Sequence, residues 1–275
     1  AGDDATVEQI AAVRTKLGLD QPMLTQLSIW LMNILRGDLG TSIFSGLPVT
    51  RLIVQRLEPT LALTVSTLLV AVLLAVPLGV LAAARARKLT DRIVMVLAVI
   101  GFAMPVFLVG YVLVFVFAMQ LQWLPVQGYV PLEEGFWPWA ERLVLPSLAL
   151  GITYMALIAR TTRASMLEVL SQDYIRTANS KGLARGRVLL LHALKNASVP
   201  IVTVIGIGIA LLISGVVITE TVFNIPGLGR LTVDAIMKRD YPIVQGLIIV
   251  FAGVKVLVNL LIDISYAFLD PRIRY

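Results

Sequence analysis

Lys255, Asn259 and Asp263 stand at four-residue steps inside an otherwise apolar stretch, Val244–Leu269. At 100° per residue they share an arc of about 80° on one helix. A lysine near the middle of such a segment costs roughly 2.5 kcal/mol or more to insert into a bilayer, so it calls for polar surroundings. Lysine and aspartate would be about 12 Å apart along the helix, too far for a direct pair. Two chemistries fit the spacing. The stripe could line a wet path through a membrane, or it could clamp two helices through hydrogen bonds, with Asp263 hydrated near one face.

A second group lies between apolar stretches. The segment about 164–197 contains Asp173-Tyr-Ile-Arg-Thr-Ala-Asn-Ser-Lys-Gly182-Leu183. Asp173 is placed to cap a short helix that ends near Gly182. Ala178 and Gly182, four apart, leave one flank without bulk, so another protein's backbone could approach there. Tyr174, Arg176 and Lys181 offer anchors beside that groove. The plain alternative is a basic loop that merely sets membrane orientation. His192, in the same segment, is the single histidine of the chain and lacks a nucleophile or metal-ligand partner.

Other chemistries are excluded by absence. There is no cysteine, so thiol catalysis, disulfides and thiolate metal sites are ruled out. There is no G-x-x-x-x-G-K-[ST] loop to cradle phosphates and no H-E-x-x-H zinc motif. No serine and histidine are placed to face each other at depth. The chain is expected to hold no metal and no catalytic residue of its own.

These groups need elements to position them. Of 275 residues, 58% are hydrophobic and 15% are charged, against about 45–50% and about 25% in soluble domains. Crossing a bilayer takes about 20 apolar residues. Five stretches qualify: Leu57–Ala84, Ile93–Leu121, Leu143–Arg163, Ser198–Thr219 and Val244–Leu269. Pro77, Pro105 and Pro146 mark expected bends. Gly101, Gly110, Gly206, Gly208, Ser214 and Gly215 suit close helix contacts.

Basic residues give the direction. Arg85, Arg87, Lys88 and Arg92 follow the first span, and Arg160, Arg163, Arg176, Lys181, Arg185, Arg187 and Lys195 end or follow the third. Arg272 and Arg274 sit in the tail, on the same side. The short loops opposite hold just Arg142, Arg230, Lys238 and Arg239. The first side is the expected cytoplasmic one, and the net charge of +6 reads as topology. Five spans then leave the N-terminus outside with nothing to export it, so a sixth, upstream helix is expected.

Outside the membrane, Thr6 and Gln9 have capping-box spacing, with Ile10, Val13 and Leu17 behind them. Asp20 and Pro22 open a second stripe of Leu24, Leu27, Leu31 and Ile34, expected to pack against the bundle from the outer surface. The loop 122–142 carries Trp123, Trp137 and Trp139, which suit an interfacial belt. Loop 220–243 contains Asn224-Ile-Pro-Gly-Leu-Gly229, a connector that could also act as a hinge.

Several stretches together carry a family resemblance. They are Tyr174-Ile-Arg-Thr-Ala178, Lys181-Gly-Leu183 and His192-Ala-Leu-Lys-Asn196 in the inner loop. Leu17-Gly-Leu-Asp-Gln-Pro22, Arg36-Gly-Asp-Leu-Gly-Thr-Ser42, Glu220-Thr-Val-Phe223, Pro226-Gly-Leu-Gly-Arg230, Arg239-Asp-Tyr-Pro242 and Asp270-Pro-Arg272 belong with them. The chain resembles permease subunits of bacterial ABC importers of the dipeptide/oligopeptide/nickel group. It departs from the general importer motif at Arg176 and Thr177, where Glu-Ala is usual, and at His192 and Lys195.

The resemblance implies an all-α membrane protein, an ABC importer-type helix bundle. It would have an extracytoplasmic short-helix segment at 1–56 and a transmembrane permease domain at 57–275. It implies a bacterial inner-membrane, multi-pass location with the C-terminus in the cytoplasm. The implied partners are a second homologous permease, two cytoplasmic ATPase subunits that bind the ATP and Mg, and an extracytoplasmic substrate-binding protein. Asp173, Tyr174, Arg176, Thr177, Ala178, Gly182 and Leu183 would be the ATPase-coupling residues, and Lys255, Asn259 and Asp263 the translocation path. Di- and oligopeptides, glutathione and nickel chelates are the implied substrates. The alternative class is an ion-coupled secondary transporter, which an inverted repeat and more midplane charge would favour.

Overall fold

The computed structural model describes residues 20–269 together with Glu8 and Arg14; the side-chain surroundings of 210, 211, 213, 214 and 266–269 fall outside that description. The expected helix around Ile10–Leu17 lies outside the described residues. The described residues form helices and no strand, with a single antiparallel bridge between Thr41 and Pro48.

Helix α1, Met23–Leu35, follows Pro22, which occupies the capping position; Asp20 therefore does not cap it. No residue of α1 is buried, and Leu24, Leu27 and Leu31 are exposed. The expected packing of this stripe on the bundle is not found. A cavity of about 290 Å³, lined by Trp30 and Ile34 on one side and Pro242 and Ile249 on the other, separates α1 from the last helix.

Helix α2, Val49–Ala84, begins ahead of Leu57. Packing explains the extension: Val49 and Ile53 are buried against Leu228, Leu231, Ala235, Ile243 and Leu247. At 1.5 Å per residue its 36 residues run about 54 Å, well beyond roughly 30 Å of hydrocarbon. Helix α5, Phe136–Leu170, likewise overruns the expected Leu143–Arg163 at both ends and keeps Pro146 buried inside it. These two make the largest helix interface of the molecule. Small residues allow it: a Cβ on Gly79 would lie 2.6 Å from Thr162 Cβ and 2.7 Å from the Ala159 carbonyl oxygen.

The expected second span is broken. Helix α3, Leu89–Ala103, meets α4, Val106–Leu113, at an angle of 107°, and wider turns continue α4 through Val114–Gln120. Pro105 supplies the reason. Its ring pushes the preceding residue out of the helical region, and Met104 is extended at φ −80°, ψ 131°.

On the far side of α5 come α6, Asp173–Ser180, and α7, Arg185–Arg187, which wider turns continue through Val188–Leu194. Helix α8, Ser198–Val222, follows after a bend of 64°. Helices α9, Leu228–Met237, and α10, Tyr241–Leu269, close the chain. By length and composition α2, α5 and α10 can each cross a membrane, and counting each bent pair as one span brings the total to five.

Candidate coupling surface and polar stripe

Helix α6 is short, yet its position is fixed. Ile175 and Ala178, three apart, are buried with Val80 and Ala83 from the end of α2, Met166 from the end of α5, and Val188, Ala193, Ala197 and Ile201. Through this cluster α6 packs mainly on the turns at Val188–Leu194 and shares a core with the ends of α2 and α5. The opposite face is exposed: Asp173, Tyr174, Arg176, Thr177, Lys181 and Gly182, with Leu183 half-buried. Arg176 donates to Asp173 at 3.2 Å on this face, an open pair of little energetic weight.

Two expectations are corrected at this helix. Asp173 is its first residue, and Gln172 holds the capping position without a side-chain bond. Ala178 does not form a bare outer flank, because it turns into the chain's own core at 9% exposure. Gly182 serves the helix end. Its N–H bonds the Asn179 carbonyl at 3.0 Å, the Leu183 N–H bonds the Ala178 carbonyl at 3.3 Å, and its φ is +76°. That is a Schellman closure, which places its glycine in the left-handed region. Half-buried Leu183 packs on the same cluster and completes the hydrophobic part of the motif.

Lys255, Asn259 and Asp263 are all exposed along α10. The helix packs through Leu247, Phe251 and Val254, and Ile262 presses on Gly206 of α8. The polar stripe lies to one side of that packed face. No hydrogen bond or ion pair links it to another described residue. Among the described residues it clamps no second helix.

The opposite end of the bundle carries polar links that sequence reasoning did not single out. Glu220 is fully buried at the end of α8. Its carboxylate accepts from Thr60 Oγ1 at 2.6 Å and from the Arg230 N–H at 2.9 Å. Thr60 Oγ1 in turn accepts from the Leu228 N–H at 2.7 Å. A Cβ on Gly227 would collide with the carboxylate, and one on Gly229 with the Val217 backbone beside it. The expected hinge at Asn224–Gly229 is thus a locked corner, and α9 occupies much of the expected loop. Asn224 accepts from Arg230 Nη1 across the same corner.

Two further links act nearby. Ser42 Oγ donates to Asp240 Oδ2 at 2.6 Å, tying the segment before α2 to the start of α10. Tyr129 donates to Glu58 Oε1 at 2.9 Å while Trp139 Nε1 donates to Tyr129 at 3.2 Å. Burial first, then the hydrogen bond to Glu58, pushes the Tyr129 phenol up to about 12. Trp139 is therefore tied into the fold, whereas Trp123 and Trp137 are exposed as an interfacial belt requires.

At the basic end, Arg163 Nε and Nη2 donate to the Asp91 oxygens at 2.5 and 2.8 Å, and the Arg87 N–H adds 2.8 Å. A signal existed: Asp91 is the lone acid among Arg85, Arg87, Lys88 and Arg92. Glu220 and Asp240 were visible as acids beside apolar runs, but their partners lie far away in the chain.

The chain is similar to several known proteins. A probable peptide ABC transporter permease protein of Sinorhizobium fredii is 52% identical over 275 residues, all of this chain and 88% of that protein. The glutathione transport system permease protein GsiC of Escherichia coli K12 is 42% identical over all of this chain and 87% of its own length. Among solved structures, an inward-facing MetNI methionine ABC transporter chain matches with a TM-score of 0.66 at 16% identity, covering 80% of this chain and 97% of that one. An amino acid ABC transporter matches at 0.55 and 17%, over 82% and 95%. Both share the fold. Residues 75–275 match the family described as binding-protein-dependent transport system inner membrane component, and the chain belongs to that family, the permease subunits of ABC importers.

Proposed function

We propose that this permease carries peptides, with α6 as its coupling element and the α10 stripe as part of its path. The observation that carries the reading is the two-faced build of α6. Ile175 and Ala178 fasten it to the ends of α2, α5 and α7, while Tyr174, Arg176 and Thr177 stand exposed at the basic end. A helix so fastened passes a push on its outer face through the Val188–Leu194 turns and the shared core to the long helices, as rigid-body rocking requires. Its outer face meets a groove on a cytoplasmic ATPase, which binds the ATP and Mg. The basic ends of the helices and the C-terminus lie in the cytoplasm.

A second permease covers the exposed face of α10, and Lys255, Asn259 and Asp263 then border the path between the two. An extracytoplasmic binding protein delivers the substrate to the opposite end. Peptides are favoured as cargo by the likeness to a peptide permease and a glutathione permease along the whole chain. The test is uptake of labelled dipeptides and glutathione into vesicles holding the complete assembly. Uptake that needs ATP supports the reading. Uptake driven by a proton gradient alone overturns it in favour of an ion-coupled carrier.

A further inference from the structure

The elbow between α3 and α4 encloses an apolar cavity of about 410 Å³ that belongs neither to the coupling face nor to the polar stripe. Its walls are three helix stripes. Val94, Ala98 and Gly101 come from α3, Ile152, Met155 and Ala159 from α5, and Leu78 from α2. Val109 and Val112 of α4 close it beyond the bend.

Each wall stripe ends in a polar group at the same end of the bundle. Stepping back along α3 from Val94 leads to Asp91. Stepping on along α5 from Ala159 leads to Arg163, and along α2 from Leu78 to Arg85. Asp91 and Arg163 join there, one turn beyond the lining residues Val94 and Ala159, and mark the rim. Val94 lies six residues past Lys88, so the end of the basic turn stands about 9 Å along the helix from the apolar wall.

That rim is cationic beyond what the chain itself neutralises. Arg163 already takes the Asp91 carboxylate. Arg85, Arg87, Lys88 and Arg92 are exposed around it, and among the described residues none of the four pairs with an acid. An apolar slot at membrane depth with a positive rim at its mouth matches an amphiphile of opposite build. We propose that the elbow is a binding site for one anionic phospholipid. One acyl chain fills the slot, and the headgroup phosphate sits against Arg85 and Lys88. Basic pockets between membrane helices hold anionic headgroups in this way.

The test is photolabelling of the transporter, assembled with its partner subunits, in nanodiscs. The probes are phosphatidylglycerol and phosphatidylcholine, each with a diazirine in one acyl chain. Phosphatidylglycerol is expected to label the peptides bearing Val94–Gly101 and Ile152–Ala159 more strongly, by roughly fivefold for each cation engaged. Arg85→Gln with Lys88→Gln removes exposed charge and leaves the Asp91–Arg163 pair intact; it should bring the two labels close to parity. Met155→Trp fills the slot and should remove both labels there while labelling of α10 persists. Equal labelling by the two lipids in the unaltered protein overturns the proposal. So does label that falls on the partner permease and leaves these two stretches unlabelled. The readout uses neither substrate nor ATP, so it stands or falls separately from peptide import.

Discussion

Individual side chains link the helices at the end of the molecule opposite α6, and fully buried Glu220 stands among them. Glu220→Ala would take the buried carboxylate acceptor away from the Thr60 hydroxyl and the Arg230 N–H. A loss on the order of 3 kcal/mol is expected, measured as a lower thermal midpoint in detergent. Glu220→Gln keeps the volume and one acceptor oxygen, so it should fall between the two. Tyr129 gives a pH test. Its folded-state value, pushed up to about 12 from 10.0, means the fold favours the neutral phenol. That contribution is complete below pH 10 and disappears as pH rises from 10 through about 12. The unfolding midpoint should fall across this window in the unaltered protein and less so in Tyr129→Phe. A midpoint that falls equally in both would remove Tyr129 as the cause.

At the scale of elements, α6 is the piece whose placement matters most. Ile175→Ala removes a buried side chain from the cluster that fastens it, at a cost of about 2–5 kcal/mol to that contact. Limited proteolysis should then cut within α6 while the long helices stay protected. Gly182 tests the helix end. A Cβ there meets no neighbouring atom in this chain, yet the φ of +76° disfavours any side chain. Gly182→Ala should therefore cost about 1–2 kcal/mol through backbone strain. Gly182→Trp should also abolish co-purification of the ATPase while membrane insertion stays normal. Full ATP-driven transport by the tryptophan variant would refute the docking role.

The whole molecule is a bundle with unfinished surfaces. Of the apolar window in α10, 6% is buried, against 56% for α5. A helix so uncovered at its polar stripe expects a partner or a wet lumen. Lys255→Met should then reduce transport per folded molecule more than it reduces folding. If the purified variant is unstable and transport per folded molecule is unchanged, Lys255 serves structure instead.

Much of this architecture is legible in order along the chain. Five apolar stretches, the bend at Pro105, the short inner helix and its glycine stop all follow from local composition and backbone sterics. These depend on near neighbours in sequence, so no fold is needed to read them. The fold alone decided what lies inward. Ala178, one bare position on a short helix, turned into the core because Ile175 shares its face and the ends of α2 and α5 meet it there. Glu220 found Thr60 because α8 packs on α2, and Asp91 found Arg163 because α3 packs on α5, where hydropathy shows just apolar runs. The five spans and their expected direction were set by the amino-acid sequence. Which polar groups are locked together, and which are left facing a partner, was decided by how the helices pack.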